Sequence, residues 1–183
     1  LTASIFLEFN DFSVLDQVSI NHWVTFALKQ TFTRFELNAK IKWPNDIYIG
    51  DRKICGILIE NTVGSSGIKN SIIGIGVNVN QLNFDAPNAT SVAIESGDVV
   101  DVRFLLKELL NNLNHLYPYL LNDRAYLLAE FHANMWRINE SVAYREGNDK
   151  FNGIIRGTNE FGQLLMEIDS QVKVFNLKEI RFL

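Results

Sequence analysis

Three stretches of the chain carry side chains able to do chemistry. They are Lys42-Trp43-Pro44-Asn45-Asp46, Asp51-Arg52-Lys53-Ile54-Cys55-Gly56-Ile57-Leu58-Ile59-Glu60 and Gly74-Ile75-Gly76-Val77-Asn78-Val79-Asn80. Lys42 and Lys53 are cations, Asp46 is a carboxylate, and Asn45 and Asn78 are amides that both donate and accept hydrogen bonds. Two lysines, an aspartate and amides around an apolar slot suit a substrate with a flat apolar body and an anionic, activated end.

The elements that must position these groups read as β segments. If Ile72 to Asn80 is extended, successive side chains point to opposite faces. Ile73, Ile75, Val77 and Val79 then form a core face, and Gly74, Gly76, Asn78 and Asn80 form the other. The middle stretch divides the same way, with Cys55, Ile57 and Ile59 opposite Gly56, Leu58 and Glu60. A single glycine inside a strand is explained by a bulge or tight packing; three in phase with an apolar opposite face predict a bare trough where a ligand approaches. Lys42 alternates with Ile41 and Trp43, Pro44 ends that strand, and Asn45 and Asp46 stand at its end. Gly50-Asp51 is a two-residue hairpin turn of the Gly-X kind that brings Lys53 to the mouth of the trough.

Composition limits what the chain can be. Its 183 residues, 47% hydrophobic and 21% charged, suffice for one good core and a small second one. A net charge of −4 argues against a broad nucleic-acid-binding face. A single cysteine, Cys55, excludes an internal disulfide, fits a reducing compartment and alternates with the core face as a small buried hydrophobe. No apolar run is long enough to span a bilayer, and no signal peptide is visible, so a cytoplasmic location is expected. His22, His115 and His132 are scattered over predicted helices and make no zinc site; no protein metal ligands are expected. Leu1 to Phe9 already alternates and there is no initiating methionine, so a truncated sequence is expected.

After that first strand, Asn10 to Ser13 reads as turn and cap. Ile20, Trp23, Val24, Ala27, Leu28, Thr31, Phe32 and Phe35 then recur at helical spacing and predict a long amphipathic helix. Gly64-Ser65-Ser66-Gly67 is a turn, and Asn83 to Asp98 a loop. Asp101 caps a helix whose Leu105, Leu106, Leu109, Leu110 and Leu113 are core; a further helix follows Asn122 with Leu127, Leu128, Phe131 and Met135 as its packing side. From Glu140 the chain changes to short β runs at Ser141–Arg145, Phe151–Arg156, Leu164–Ile168 and Val172–Phe175. The expected fold is α+β, a mixed or antiparallel sheet packed with helices over residues 1–138, followed by a small β domain over 139–183.

The three motif stretches, in this order and spacing, resemble the catalytic domain of the biotin protein ligases, and the resemblance extends loosely over essentially the whole chain. It implies an SH3-like β-barrel for the last segment, either a packing appendage or an aid to nucleotide and carrier binding. It implies an AMP-forming enzyme: biotin's carboxylate attacks the α-phosphate of ATP to give biotinyl-5′-AMP, and a lysine of the biotin carboxyl carrier domain of acetyl-CoA carboxylase takes the acyl group. By this resemblance Lys53 stabilises the acyl-phosphate oxygens, with Lys42 as a second cation, and Mg²⁺ shares the task. Without it, Lys53 reads as an exposed turn lysine. Asp46 would orient or deprotonate the incoming amine, or else is an Asx-type turn residue. Gly56, Ile57, Leu58, Gly74 and Gly76, with Lys53, would hold biotin, and Asn45 and Asn78 the nucleotide.

One departure stands out. The family places a Gly-Arg-Gly-rich loop upstream of the first strand, and the residues given start just past it. The expectation is that this chain forms little biotinyl-adenylate without that segment. No N-terminal DNA-binding domain is visible, a homodimer through a sheet edge is open, and no membrane partner is expected. Two alternatives share the fold: a lipoate or octanoate ligase or transferase, and a biotin-binding module inactive without the loop.

Overall fold

Alternation of apolar and polar side chains decides the first sheet. The computed structural model describes residues 1–183. Strands β1 (Thr2–Phe12), β2 (Ala39–Lys42), β3 (Asp46–Ile49), β4 (Arg52–Gly64) and β5 (Gly67–Val77) form a sheet of order β1-β5-β4-β3-β2, antiparallel throughout. Ile41, Ile47, Cys55, Ile57, Ile73, Ile75 and Val77 are each at most 5% exposed and make its core face. The opposite face is open over β1, β5 and β4, where Phe6, Leu58 and Ile72 are exposed.

Helix α1 (Gln17–Thr33) lies against β2 and β3, with α3 (Val102–Asn122) and α4 (Arg124–Ala133) behind it. Sandwiched in this way, α1 is buried nearly all round rather than along one stripe: His22, Thr25 and Phe26 are covered as well as the expected positions. Thr25 and Thr31 satisfy their hydroxyls by donating to the carbonyls of Asn21 and Ala27 within the helix. Phe35 falls beyond the helix end, in a turn. Asp101 does cap α3, accepting from the Arg103 N–H. Of its leucines, Leu105, Leu109 and Leu113 are core, whereas Leu110 is exposed. The turn expected at Asn10–Ser13 gives way to strand as far as Phe12, which is buried and faces Ile68.

The C-terminal β runs form a second antiparallel sheet: β6 (Ser141–Glu146), β7 (Asp149–Thr158), β8 (Leu164–Ile168), β9 (Gln171–Phe175) and β10 (Ile180–Phe182), in the order β10-β6-β7-β8-β9. The four expected strands are present. The fifth, β10, is three residues long, too short for its alternation to show. Apolar packing is continuous through both sheets. Their junction is also polar: Trp43 Nε1 donates to Gly162 O at 2.8 Å, and His132 Nε2 accepts the Thr158 N–H at 2.9 Å. That bond places the His132 proton on Nδ1, and burial lowers its pKa, so the ring is held neutral. No helix is long and apolar enough to cross a membrane.

Candidate active site

Register assembles the site. Directly opposed residues share a face, so β-ladder partners can be followed across the sheet. One row runs Thr2, Gly76, Gly56, Asp46, Lys42 from β1 to β2, and the next runs Ser4, Gly74, Leu58. Three glycines thus form a floor between the hydroxyls of Thr2 and Ser4 on one side and the Asp46 carboxylate on the other. Together with Asn45 and Lys53 these residues line a cleft of about 490 Å³. The bareness of Gly74 and Gly76 does not come from packing. A Cβ built on either would meet nothing closer than 3.8 Å, so the fold has room for side chains there and leaves the floor empty.

Lys53 reaches this face because of a β-bulge. Strict alternation from Cys55 and Ile57 would turn it into the core. The β3–β4 ladder slips by one residue: Ile47 faces Cys55, whereas Tyr48 faces Lys53. Ile54 is the extra residue, buried beside Cys55, and Lys53 is re-aimed onto the face of Asp46 and Gly56. Its Nζ lies 2.6 Å from Asp46 Oδ1. A Cβ on Gly56 would stand 3.2 Å from that Nζ and 3.5 Å from the same carboxylate oxygen, so a side chain at Gly56 would crowd the ion pair that lies over the floor.

The backbone of Lys53 is held from outside the hairpin. Its N–H donates to Asn88 O at 2.7 Å and its C=O accepts from Thr90 N–H at 2.9 Å, which makes Asn88–Thr90 a strap alongside the bulge. Sequence reading treats this segment as plain loop. In fact Ser91 caps a short helix, α2 (Val92–Ser96), and Thr90 and Ser91 are fully buried. Asn78 joins strap to strand: its Nδ2 donates to Thr90 O at 2.9 Å and its backbone C=O accepts from Val92. Asn45 donates from its side chain to Ile57 O and accepts from Ile57 N–H, so it fixes the corner of the cleft beside Asp46. The amide nitrogens of Asn45 and Asn78 are therefore engaged by the fold itself.

Two expected site residues stand apart. Ile57 borders the cleft, but its side chain is 5% exposed and belongs to the core face. Lys42 shares the row of Asp46, yet its Nζ sits among three rings, 4.3 Å from the centroid of Tyr48, 4.7 Å from Trp136 and 4.6 Å from Phe182, and donates to Tyr48 Oη at 3.1 Å. This is a cation–π enclosure at the junction with the second sheet, not a position over the glycine floor. Conversely, Thr2 and Ser4 were not among the expected site residues. The signal for them is the polar half of the β1 alternation, opposite Ala3 and Ile5.

A second groove of about 490 Å³ lies between α1 and the C-terminal sheet, past Trp43 and Leu58. It contains no lysine, arginine or carboxylate. His22 in its wall is driven down to about 3, chiefly by burial and then by His132, and stays uncharged at neutral pH. Burial likewise raises the Cys55 thiol above its ordinary value, which leaves it inert. No three His, Cys, Asp or Glu side chains gather as a metal site. Cation, carboxylate, hydroxyls and bare floor coincide only in the glycine cleft.

Comparison with known proteins points to the same cleft-bearing sheet. Residues 1–78 match the Biotin/lipoate A/B protein ligase family. The chain is 31% identical over 143 residues to the bifunctional ligase/repressor BirA of Bacillus spizizenii, covering 75% of this chain and 44% of that protein. It is 30% identical over 156 residues to the biotin–[acetyl-CoA-carboxylase] ligase of Paracoccus denitrificans, covering 78% and 62%. The chain thus spans about half the length of the curated relatives it matches. Among solved structures, biotin protein ligase from Aquifex aeolicus superposes with a TM-score of 0.78 at 22% identity, over 100% of this chain and 81% of that one. The same enzyme in complex with biotin and ATP gives 0.72 at 25% identity, over 100% and 78%. The family match lies in residues 1–78, and the chain as a whole has the fold of the biotin protein ligases.

Proposed function

We propose that the chain carries the catalytic part of a biotin protein ligase that uses ATP. Biotin's carboxylate oxygen attacks the α-phosphorus, the bond to the β-phosphate oxygen breaks, and biotinyl-5′-AMP and pyrophosphate result. The amine of a lysine on a biotin carboxyl carrier domain, as found in acetyl-CoA carboxylase, then attacks the acyl carbon; AMP leaves and an amide remains. The observation that carries this reading is the glycine floor under Lys53: Gly56, Gly74 and Gly76 leave a flat slot, and one cation stands at its end.

A fused bicyclic ring can lie flat on such a floor, with Leu58 against it, while Thr2 and Ser4 offer hydroxyls to its polar edge. Its carboxylate then meets the Lys53 ammonium, which Asp46 aims across Gly56. Charge that builds on the acyl-phosphate oxygens is stabilised there without reorganisation. Once an anionic group draws Lys53 away, Asp46 is left free to orient the carrier's amine and receive its proton. Asn78 and the strap it holds bound the nucleotide side, and Asn45 keeps the corner rigid. Mg²⁺ fits as a companion of the triphosphate rather than as a resident ion, since Asp46 offers a single carboxylate and no protein cage surrounds it. It would neutralise phosphate oxygens. Residues 1–138 form the catalytic unit on this reading, 139–183 a small supporting β domain, and the setting is the cytoplasm.

Calorimetric titration with biotin, lipoate and a sulfamoyl analogue of biotinyl-5′-AMP tests it. Biotin and the analogue bind, the analogue more tightly, and lipoate does not. Preference for lipoate would move the protein to the other acyl group of its family, and binding of none of the three would end the proposal.

A further inference from the structure

The bulge at Ile54 turns Lys53 toward the cleft while it still faces Tyr48 on β3; on its other side, beyond the end of β5 at Val77, its N–H and C=O are paired with the Asn88–Thr90 strap. That strap has little regular structure of its own. A second set of contacts holds it: one carboxylate oxygen of Glu95, on α2, accepts from Thr90 Oγ1 and lies 2.8 Å from Arg52 Nη2. Arg52 immediately precedes Lys53, and Thr90 donates its own N–H to the Lys53 carbonyl. The Glu95 side chain is 12% exposed and Thr90 is fully buried, so the Thr90 contact is sheltered, whereas the Arg52 side chain is 48% exposed and meets Glu95 at its open edge. The clip closes a ring through Arg52, Lys53, Thr90 and Glu95, and Asn78 joins it at the Thr90 carbonyl.

We propose that Glu95 is a positioning residue for the adenylation centre: by tying Arg52 to Thr90 it fixes the bulged backbone from which Lys53 reaches over Gly56. This rests on the role given to Lys53 above. Exchanging the carboxylate for an amide leaves the Thr90 hydroxyl and Arg52 sharing a weaker, uncharged acceptor, so the strap loosens and the ammonium loses its fixed place at the acyl-phosphate oxygens. The slot under biotin's ring is untouched, since Gly74, Gly76 and Leu58 lie on other rows or strands of the floor.

The test is a double-mutant cycle read by calorimetry with the sulfamoyl analogue of biotinyl-5′-AMP and, separately, with biotin. Glu95→Gln should weaken the analogue by ~10-fold, the order of one charge-assisted hydrogen bond, and biotin, whose carboxylate also meets the Lys53 ammonium, in the same direction but by less. Thr90→Val, which removes only the hydroxyl, should shift the analogue in the same direction and keeps the test open should Glu95→Gln fold poorly. In a Lys53→Ala background both changes should lose most of their effect, because positioning has nothing left to act on. A merely structural contact would lower affinity equally in both backgrounds, and that result overturns the inference, as does unchanged affinity in both single variants. Lys53→Ala with wild-type affinity for the analogue would refute the role of Lys53 itself and the inference with it.

Discussion

Lys53 and Lys42 face the same side of adjoining parts of one hairpin-linked sheet, and their surroundings make them opposites. Lys53 lies over a glycine in an open cleft, paired with Asp46 and 41% exposed. Lys42 is walled in by Tyr48, Trp136 and Phe182, the last two delivered by the segment leading into the C-terminal sheet and by that sheet's last strand. Trp136 also donates to Gly50 O at 2.7 Å, and Arg137 pairs with Asp51 at 2.9 Å, so this junction grips the tip of the β3–β4 hairpin. A cation in an aromatic enclosure contributes to packing; a cation over an empty floor is available to a ligand. What separates binding chemistry from structural chemistry here is what the opposite wall leaves open, not the residue type.

The largest expected difference between the two regions is catalytic. Lys53→Ala should lower biotin-dependent pyrophosphate release by ~10²-fold or more, however small the wild-type rate, the usual loss when a fixed donor to a developing oxyanion is removed. Because the side chain is substantially exposed, its removal should change stability by less than ~0.5 kcal/mol. A Lys53→Ala protein of unchanged rate, or one that unfolds, would erase the contrast with Lys42. A smaller effect on turnover, but a sharper one on the cleft, comes from filling the floor. Gly76→Val adds a branched side chain where no atom stands within 3.9 Å, so the fold accommodates it. Stability should rise by ~0.5–1 kcal/mol, as expected when a strand glycine gains a β-former. Biotin affinity, followed by calorimetry, should fall by at least ~10-fold from steric exclusion alone. Simultaneous loss of stability and retention of affinity would mean that the glycines serve packing.

How much of this was legible in the sequence varies with the period of the signal. The alternation of Ile73, Ile75 and Val77 against Gly74 and Gly76 is undisturbed in the structure, so the floor could be read directly. The place of Lys53 follows from the turn at Gly50 and runs against simple alternation. A bulge at Ile54 inverts parity there, and nothing in an apolar pair such as Ile54-Cys55 announces which residue is extra. The strap at Asn88–Thr90 was invisible for a related reason. Its order comes from bonds to Lys53, Asn78 and Glu95, and not from a local pattern. The enclosure of Lys42 was not legible, because two of its rings, Trp136 and Phe182, lie in a different part of the chain and converge only in the tertiary structure. Leu110 shows the converse: it has helical spacing and apolar character, yet faces solvent, since the stripe on α3 is wider than the surface α1 offers it.

The finest discrimination between the two lysines is by pH. Burial is the main cause lowering the Lys42 pKa from its ordinary value; Asp46 acts against it, Arg137 and Lys53 act with it, and Asp51 opposes more weakly. Between the lowered folded value and the ordinary unfolded one, the unfolded chain binds more protons than the folded one, so this group adds stability as pH rises through that window. Tyr48 and Tyr144 titrate in the alkaline range too, with pKa values raised by burial, and contribute the opposite slope. The informative quantity is therefore the stability of wild type minus that of Lys42→Met, measured by denaturant unfolding at several pH values. At neutral pH the substitution should cost about 1 kcal/mol or less, the cation–π gain being partly offset by the desolvation it removes. The difference should then grow in favour of wild type as pH approaches the ordinary lysine value, while biotin affinity stays level. A difference that shrinks with pH would mean that the rings stabilise the charged form more than burial opposes it, and Lys42 would be an anchored cation rather than a desolvated one.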